Sequence, residues 1–126
     1  MKLLGKILLA TDFGDAAAAA TKSAVALATT FGSEIVPLHV LRDMRGLIGL
    51  QTMEGVRESV DRKLQDLSRR LTEKNVAVEP PIVAHGLPFQ QILNHANARN
   101  ANVIFLGDGE RGAKRELQSA SHAQGI

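Results

Sequence analysis

Two short apolar runs constrain the fold of this chain more than any other feature of its sequence. Residues 6–10 (KILLA) and 102–106 (NVIFL) each contain four consecutive apolar residues and lead directly into residues that favour turns. Short runs that do not alternate with polar residues are typical of strands buried on both faces of a parallel sheet. We therefore expect the two runs to be the central strands of an α/β domain.

Three segments with helical periodicity lie between extended segments. Asp15–Phe31 places apolar residues at helical spacing and is followed by Gly32, a residue type that commonly ends helices. Residues 53–74 have one apolar helical face, and on the other faces oppositely charged residues lie four positions apart, where they can form ion pairs. Pro88–Arg99 begins with a proline, which suits the first turn of a helix. The spacing predicts three helices, with a glycine-containing connection over residues 42–52 before the second.

Proline residues constrain the two remaining strands. Glu34–Leu41 (EIVPLHVL) is predicted as strand two, which tolerates Pro37 only where the missing N–H falls at a bulge or a strand boundary. Residues 76–84 contain Pro80 and Pro81, and two adjacent residues without N–H donors cannot lie in the middle of a ladder. We expect this third strand at an edge of the sheet.

The alternation of strands and helices predicts the topology. Right-handed crossovers place the order β-α-β-α-β-α-β in a doubly wound parallel sheet, and an outer third strand gives the strand order 3-2-1-4. At 126 residues, the chain is expected to form one domain over residues 1–126. The winding reverses between strands one and four, so we expect a ligand beyond their carboxyl ends, at residues 11–15 and 107–112.

Composition and residue spacing exclude several classes of function. The chain has no cysteine, which excludes disulfides, thiolate metal sites and thiol nucleophiles and favours a reducing cytoplasm. Its formal net charge of +2 does not by itself indicate binding to nucleic acid or anionic lipid. No apolar run reaches the length of about 18 residues that spans a membrane. The histidines lack metal-ligand spacing, and there is no Gly-x-Ser-x-Gly nucleophile elbow. We therefore expect neither a metal site nor a hydrolase.

Four segments together resemble the universal stress protein family in their order and spacing. ILLATDFGD is similar to the family's opening strand with its trailing aspartate, and PLHVL is similar to its second strand. The Gly-x-Pro at residues 86–88 resembles the lead into the third helix, and ANVIFLGDGERG resembles the fourth strand with its glycine loop. The resemblance covers residues 3 to about 119. It implies an α/β fold of the adenine nucleotide alpha hydrolase type, a regulatory role in stress response, and ATP or another adenine nucleotide as ligand, with or without Mg²⁺.

The resemblance also implies where a nucleotide would lie. In nucleotide-binding members of the family, a Gly-x2-Gly-x9-Gly-(Ser/Thr) motif holds the phosphates. An aspartate after strand one and a valine at the end of strand two flank adenosine, and Asp12 and Val40 match these positions. Phosphate oxygens require several backbone N–H groups near a helix N-terminus, where glycine allows the main chain to come close. The candidate nucleotide-binding residues are Ala10, Thr11, Asp12, Val40, Leu106, Gly107, Gly109, Gly112 and Ser119.

The glycine loop departs from the family motif in either register. Gly107 and Gly109 are separated by one residue instead of two, and nine further residues reach Ser119, which is followed by alanine. Gly109 and Gly112 keep the two-residue gap, but histidine and alanine then occupy the final pair. A P-loop is not favoured either, because Arg115 stands where a Ser or Thr should bind magnesium.

Polar residues near the two loops are interpreted individually. Asp15 is expected to cap the first helix, whereas the position of Asp12 at the reversal of winding favours contact with a ligand. His39 is expected to have its ring nitrogen satisfied locally in strand two. His85 is expected to line the mouth of the cleft, and His95 to lie on a solvated helix face.

The sequence leaves two functions open. The first is an ATP-binding or ATP-sensing stress domain, in which any hydrolysis is slow and incidental. The second is an interaction module that has lost the nucleotide and works through a partner protein or a homo-oligomer, and the altered glycine motif favours it. Family members continue with another helix and a fifth strand that often forms the dimer contact. Residues 120–126 are too few and too polar to supply both elements, so the chain is expected to be a fragment, a truncated homologue or half of a unit that a partner completes.

Overall fold

Five strands and three helices make up the part of the chain that the computed structural model describes, residues 5–42 and 45–107. In chain order they are β1 (Lys6–Thr11), α1 (Asp15–Phe31), β2 (Glu34–Leu41), α2 (Arg45–Glu73), β3 (Ala77–Val78), β4 (Ile82–His85), α3 (Pro88–Arg99) and β5 (Val103–Gly107). The predicted alternation of strands and helices is confirmed. The expected absence of a final helix and strand concerns residues outside the described ranges.

The sheet is parallel and has the order β3-β2-β1-β5, with β4 also paired to β2. β1 lies between β2 and β5, and Leu9 is opposite Pro37 on one side and Phe105 on the other. The apolar residues of β1 are buried because the strand has a neighbour on each side and helices over both faces. The predicted order 3-2-1-4 is confirmed, with β5 as the fourth strand of that prediction.

The predicted edge strand is present as two short pieces, β3 and β4, because Pro80 and Pro81 lie between them. The Ile35 carbonyl accepts a hydrogen bond from the Glu79 N–H at 3.0 Å. Alternate residues of a strand direct their backbone groups to the same side, so the nitrogen of Pro37 faces this side as well. The missing N–H of Pro37 therefore faces the interruption between β3 and β4, as the sequence required.

The second helix begins earlier than the sequence predicted. α2 starts at Arg45 rather than at residue 53, and its backbone is broken at Gly49, where φ is 77° and ψ is 165°. This conformation is readily accessible only to glycine. The prediction of a non-helical connection was therefore wrong for the residues on either side of Gly49, because the glycine interrupts the helix without ending it.

The helices cover the two faces of the sheet with different side chains. α1 and α2 pack on the face that includes Leu9, and α3 packs on the face that includes Leu8. The residues that α1 buries are all alanines: Ala17, Ala20, Ala24 and Ala28. Because these side chains are short, the backbone of α1 comes close to the sheet. The opposite face is covered by Ile92 and Ala96 of α3.

Candidate functional site

A cavity of about 520 Å³ opens at the carboxyl edge of the sheet, on the face that α3 covers. Strands β1, β2 and β5 supply one wall, and the beginning of α3 supplies the other. The lining residues are Ala10, Thr11, Asp12, Leu38, His39, Val40, Arg42, Pro88, Phe89, Ile92, Leu106 and Gly107. Sites for small molecules commonly have volumes of about 300–1,000 Å³ and mostly apolar walls with a few polar groups. The cavity has both properties.

The structure brings six of the candidate residues together in this cavity. They are Ala10, Thr11, Asp12, Val40, Leu106 and Gly107. The register of β1 and β5 pairs Ala10 with Leu106 and Thr11 with Gly107, so the ends of these strands lie side by side. Gly109, Gly112 and Ser119 lie outside the described residues. The role of all these residues in binding stays a prediction.

The loop after β1 is held by its own side chains. The Thr11 hydroxyl accepts a hydrogen bond from the Phe13 N–H at 3.0 Å, and Asp12 Oδ1 accepts one from the Gly14 N–H at 2.9 Å. These short-range bonds fix the turn between β1 and α1. Among the described residues, the second carboxylate oxygen of the exposed Asp12 has no hydrogen-bond partner. It is available to accept hydrogen bonds from a ligand.

Asp15 does not have the predicted capping role. The N-cap of α1 is Gly14, and no side chain makes a capping hydrogen bond there. Asp15 is the first residue of the helix, where its carboxylate still interacts favourably with the helix dipole. The prediction was wrong because the helix begins one residue earlier than a cap at Asp15 requires.

His39 connects the ends of two strands at the rim of the cavity. Its Nδ1–H donates to the Thr11 carbonyl at 2.6 Å, and because a carbonyl only accepts, the ring proton lies on Nδ1 in the neutral ring. The ring stacks on Phe13, with centroids 5.0 Å apart and an interplanar angle of 24°. The ring nitrogen is thus satisfied as expected, although the partner belongs to the neighbouring strand.

Phe13 has a backbone conformation that is uncommon for a residue with a side chain. Its φ is 67°, which is in the left-handed region that favours glycine and asparagine. The stacked His39 ring and Lys63, whose Nζ lies 5.5 Å from the Phe13 ring centroid, contact the side chain in this conformation. No signal in the sequence indicated this cluster, because the path of the loop decides which side chains meet.

His85 does not line the cavity, contrary to the expectation from the sequence. Its Nε2 accepts a hydrogen bond from Arg57 Nη1 of α2 at 3.0 Å. Successive side chains of a strand point to opposite faces, and Ala84 packs on the α3 face. His85 therefore points towards α2, away from the cavity. His95 in α3 is partly buried.

Gly107 has a packing reason to be glycine. A Cβ atom at this position would lie 2.2 Å from Ala17 Cα and 2.6 Å from Ala17 N. The end of β5 and the first turns of α1 therefore approach so closely that no side chain fits between them. This requirement holds whether or not a phosphate group lies nearby.

The remaining lining residues were not indicated by the sequence. Leu38 lies two residues before Val40 in β2, so both side chains point to the same face of the sheet. Once Val40 is known to face the ligand, Leu38 is expected to face it as well. Pro88, Phe89 and Ile92 come from the first turns of α3. The Gly-x-Pro segment predicted where this helix begins but not which of its side chains face a ligand.

The cavity offers little protein coordination to a metal ion. Within residues 5–42 and 45–107, no group of three or more His, Asp or Glu side chains is placed to hold one. Asp12 is the acidic residue that lines the cavity in that part of the chain. In the same part of the chain, no helix combines the length and apolar character needed to cross a membrane.

Comparison with known proteins gives a family and a matching fold. The model of the universal stress protein family matches residues 4–126. The universal stress protein YxiE of Bacillus subtilis is 31% identical over 135 residues, covering 95% of this chain and 90% of that protein. The crystal structure of a universal stress protein family member from Burkholderia pseudomallei is similar, with a TM-score of 0.76 and 26% identity over 93% of this chain and 90% of that chain.

Two structures with lower sequence identity share the fold and contain a nucleotide. One is a universal stress protein family protein from Arabidopsis thaliana with AMP bound; its TM-score is 0.61 at 16% identity, covering 94% of this chain and 85% of that chain. The other is a universal stress protein in complex with cAMP, with a TM-score of 0.63 at 11% identity, covering 95% of this chain and 90% of that chain. At these identities the likeness establishes a common fold.

Proposed function

The chain belongs to the universal stress protein family, and from this membership we propose that it is a regulatory domain of the stress response that binds an adenine nucleotide in the cavity at the carboxyl edge of its sheet. The proposed function is binding, and no chemical step on the nucleotide is part of it. The single observation that carries the proposal is the convergence of Asp12 and Val40 on one cavity at the reversal of winding. Open parallel sheets generally bind ligands at this point.

The distribution of polarity in the cavity supports a nucleoside ligand. The strand wall is aliphatic where Ala10, Leu38 and Leu106 line it, which suits the apolar faces of a base. Asp12 and Arg42 are exposed polar residues at the rim. A carboxylate accepts hydrogen bonds from ribose hydroxyls, and a guanidinium donates them to phosphate oxygens. We propose these two contacts for the ribose and the phosphate.

We propose that the adenosine monophosphate portion contributes most of the affinity. Five of the six candidate residues that line the cavity precede the altered glycine loop, which begins at Gly107 and in which the spacing of Gly107 and Gly109 departs from the family motif. The two nucleotides present in the structures of similar fold, AMP and cAMP, have a single phosphate. We expect ATP to bind, with or without Mg²⁺, but to gain little affinity over AMP.

Calorimetric titration with AMP and ATP, each with and without Mg²⁺, tests the proposal. We expect micromolar binding by the wild-type protein and a loss of about 10- to 100-fold in Asp12→Ala, because a hydrogen bond to a charged group contributes about 1.5–3 kcal/mol. Asp12→Asn keeps an oxygen for the Gly14 N–H but removes the charge, so it separates ligand binding from the local turn. Asp15→Ala is the matched control, since Asp15 is also exposed and acidic but does not line the cavity.

Absence of heat at millimolar AMP and ATP, in a sample shown to be folded, would contradict nucleotide binding. It would favour the second candidate, an interaction module that acts through a partner protein or as a homo-oligomer. The observation in favour of this candidate is the altered glycine motif. Sedimentation velocity with and without AMP distinguishes a monomer from a dimer.

We propose a cytoplasmic location for either function, because a chain without cysteine needs no oxidising compartment.

A further inference from the structure

A second cavity, of about 490 Å³, lies between α2 and the loop that follows β1. We propose that it binds the phosphate group of a small, hydroxyl-rich phosphate monoester, that is, of a sugar phosphate. The cavity shares no lining residue with the one at the carboxyl edge of the sheet, so this inference does not depend on the proposed nucleotide binding. The lining residues are Phe13, Ser59, Arg62, Lys63, Asp66 and Arg70.

Five of these lining residues belong to α2, and their spacing places them on one face of the helix. Relative to Ser59, the other four lie three, four, seven and eleven residues along the chain. Residues at such spacings lie above one another on a helix surface. The helix therefore presents a hydroxyl group, three cationic groups and one carboxylate to the same cavity.

Among the described residues, Asp66 is the carboxylate that lines this cavity, and it is already paired with arginines. Its Oδ2 lies 3.1 Å from Arg70 Nε, and its Oδ1 accepts a hydrogen bond from Arg69. Arg69 also lies 3.3 Å from Glu73 Oε2. The charges of these four residues balance one another. The uncompensated positive charge of the cavity therefore belongs to Arg62 and Lys63.

Arg62 has its guanidinium donors available for a ligand. Glu58 precedes it by four residues, a spacing that favours an ion pair on a helix. Within residues 5–42 and 45–107, however, Arg62 forms neither an ion pair nor a hydrogen bond. Asp66 follows Arg62 by four residues but is paired with Arg69 and Arg70. A guanidinium group binds phosphate oxygens through parallel N–H donors when no carboxylate occupies them.

Lys63 is held at the loop side of the cavity by an aromatic ring. Its Nζ lies 5.5 Å from the centroid of the Phe13 ring, within the range of a cation–π interaction. The Phe13 ring stacks in turn on His39, with centroids 5.0 Å apart. These contacts position the ammonium group before a ligand binds, which lowers the entropy lost on binding. A cation–π contact leaves N–H donors of the ammonium group for an anion.

The charge and the size of the cavity match a sugar phosphate. A phosphate monoester carries a charge of about −1.5 to −2 at pH 7, which the charges of Arg62 and Lys63 compensate. The Ser59 hydroxyl adds a further donor for phosphate oxygens. A cavity of about 490 Å³ has the size of a small-molecule site and has room for more than a phosphate group. Asp66 and Arg70, further along the helix, supply an acceptor and donors for sugar hydroxyls.

NMR titration of the ¹⁵N-labelled protein with glucose 6-phosphate, inorganic phosphate and glucose tests the proposal. We expect glucose 6-phosphate to shift the amide resonances of residues 59–70, inorganic phosphate to bind more weakly, and glucose not to bind. Arg62→Gln and Lys63→Gln should each weaken glucose 6-phosphate binding about tenfold, because each removes a charge-assisted hydrogen bond. Arg57→Gln is the matched control, since Arg57 is an exposed arginine of the same helix that does not line the cavity.

Arg42→Gln separates this site from the proposed nucleotide site, because Arg42 lines the other cavity. It should leave glucose 6-phosphate binding unchanged. A loss in Arg42→Gln equal to that in Arg62→Gln would overturn the assignment, because the phosphate would then lie at the carboxyl edge. An equal loss in Arg57→Gln would overturn it too, because binding would then depend on net charge alone.

Three further outcomes would contradict the proposed ligand. No change in the spectrum at millimolar glucose 6-phosphate would overturn the site itself. Equal affinities for glucose 6-phosphate and inorganic phosphate would show that the cavity does not recognise the sugar. Tighter binding of a phosphoserine peptide than of glucose 6-phosphate would indicate that the surface binds a protein instead. Absence of AMP binding would overturn the proposed function and leave this inference intact.

Discussion

At Gly107, the absence of a side chain determines how closely α1 approaches β5. A Cβ atom there would lie 2.2 Å from the Cα of Ala17, and this neighbour is helix backbone that cannot rotate away. We expect Gly107→Ala to lower the free energy of unfolding by about 1–3 kcal/mol, the usual cost of overpacking a close contact. Urea denaturation measures this change.

Gly55→Ala is the matched control for the Gly107 substitution. Gly55 lies within α2, is exposed, and a Cβ atom there meets nothing within 4 Å. Alanine is the better helix former, so this variant should be stabilised by about 0.5–1 kcal/mol. If both variants changed the unfolding free energy in the same direction, the packing explanation for Gly107 would be wrong.

At the scale of elements, Asn102 joins β1 to the start of β5 at the amino edge of the sheet. Its Oδ1 accepts hydrogen bonds from the Gly5 N–H at 2.8 Å and the Lys6 N–H at 3.1 Å. Asn102→Ala leaves both partly buried donors without this acceptor, and we expect it to lower the free energy of unfolding by about 1–3 kcal/mol.

Asn102→Asp provides the control, because it keeps the side-chain oxygen and should lose much less stability than Asn102→Ala in the same urea titration. The amino edge lies at the opposite end of the sheet from the cavity, so neither variant should change AMP affinity. Equal stability of the alanine variant and the wild-type protein would show that water replaces the asparagine oxygen at no cost.

The elements themselves could be read from the sequence because each has a distinct local pattern. Four-residue apolar runs identified β1 and β5, and helical spacing identified α1 and α3. The predicted boundaries of helices and strands were wrong where a single residue changed the backbone conformation without changing the apolar pattern of the sequence. Gly49 breaks α2 internally, so a glycine expected to lie before the helix lies inside it. Pro80 and Pro81 divide the predicted edge strand, since neither can donate to the ladder.

At the scale of the whole molecule, topology located the site but not all of its side chains. The reversal of winding placed the ends of β1 and β5 at one cavity, as the strand order predicted. The stacking of Phe13 on His39 depends on how the loop after β1 leaves the sheet. Such contacts join residues far apart in sequence and have no periodic signature, so sequence reasoning could not find them.

Because the cavity is built from three strands and a helix, a ligand that occupies it should stabilise the entire domain. The unfolded chain has no such cavity, so AMP at 100 times its dissociation constant should add about 2.7 kcal/mol to the free energy of unfolding. For a domain of this size, the increase corresponds to a rise in Tm of roughly 10 °C. At the same AMP concentration, an Asp12→Ala variant that binds AMP tenfold more weakly should gain about half as much, whereas Asp15→Ala should gain the full amount. Thermal unfolding followed by circular dichroism measures all three, and an equal AMP-induced rise in Asp12→Ala and the wild-type protein would contradict a contact between Asp12 and the ligand.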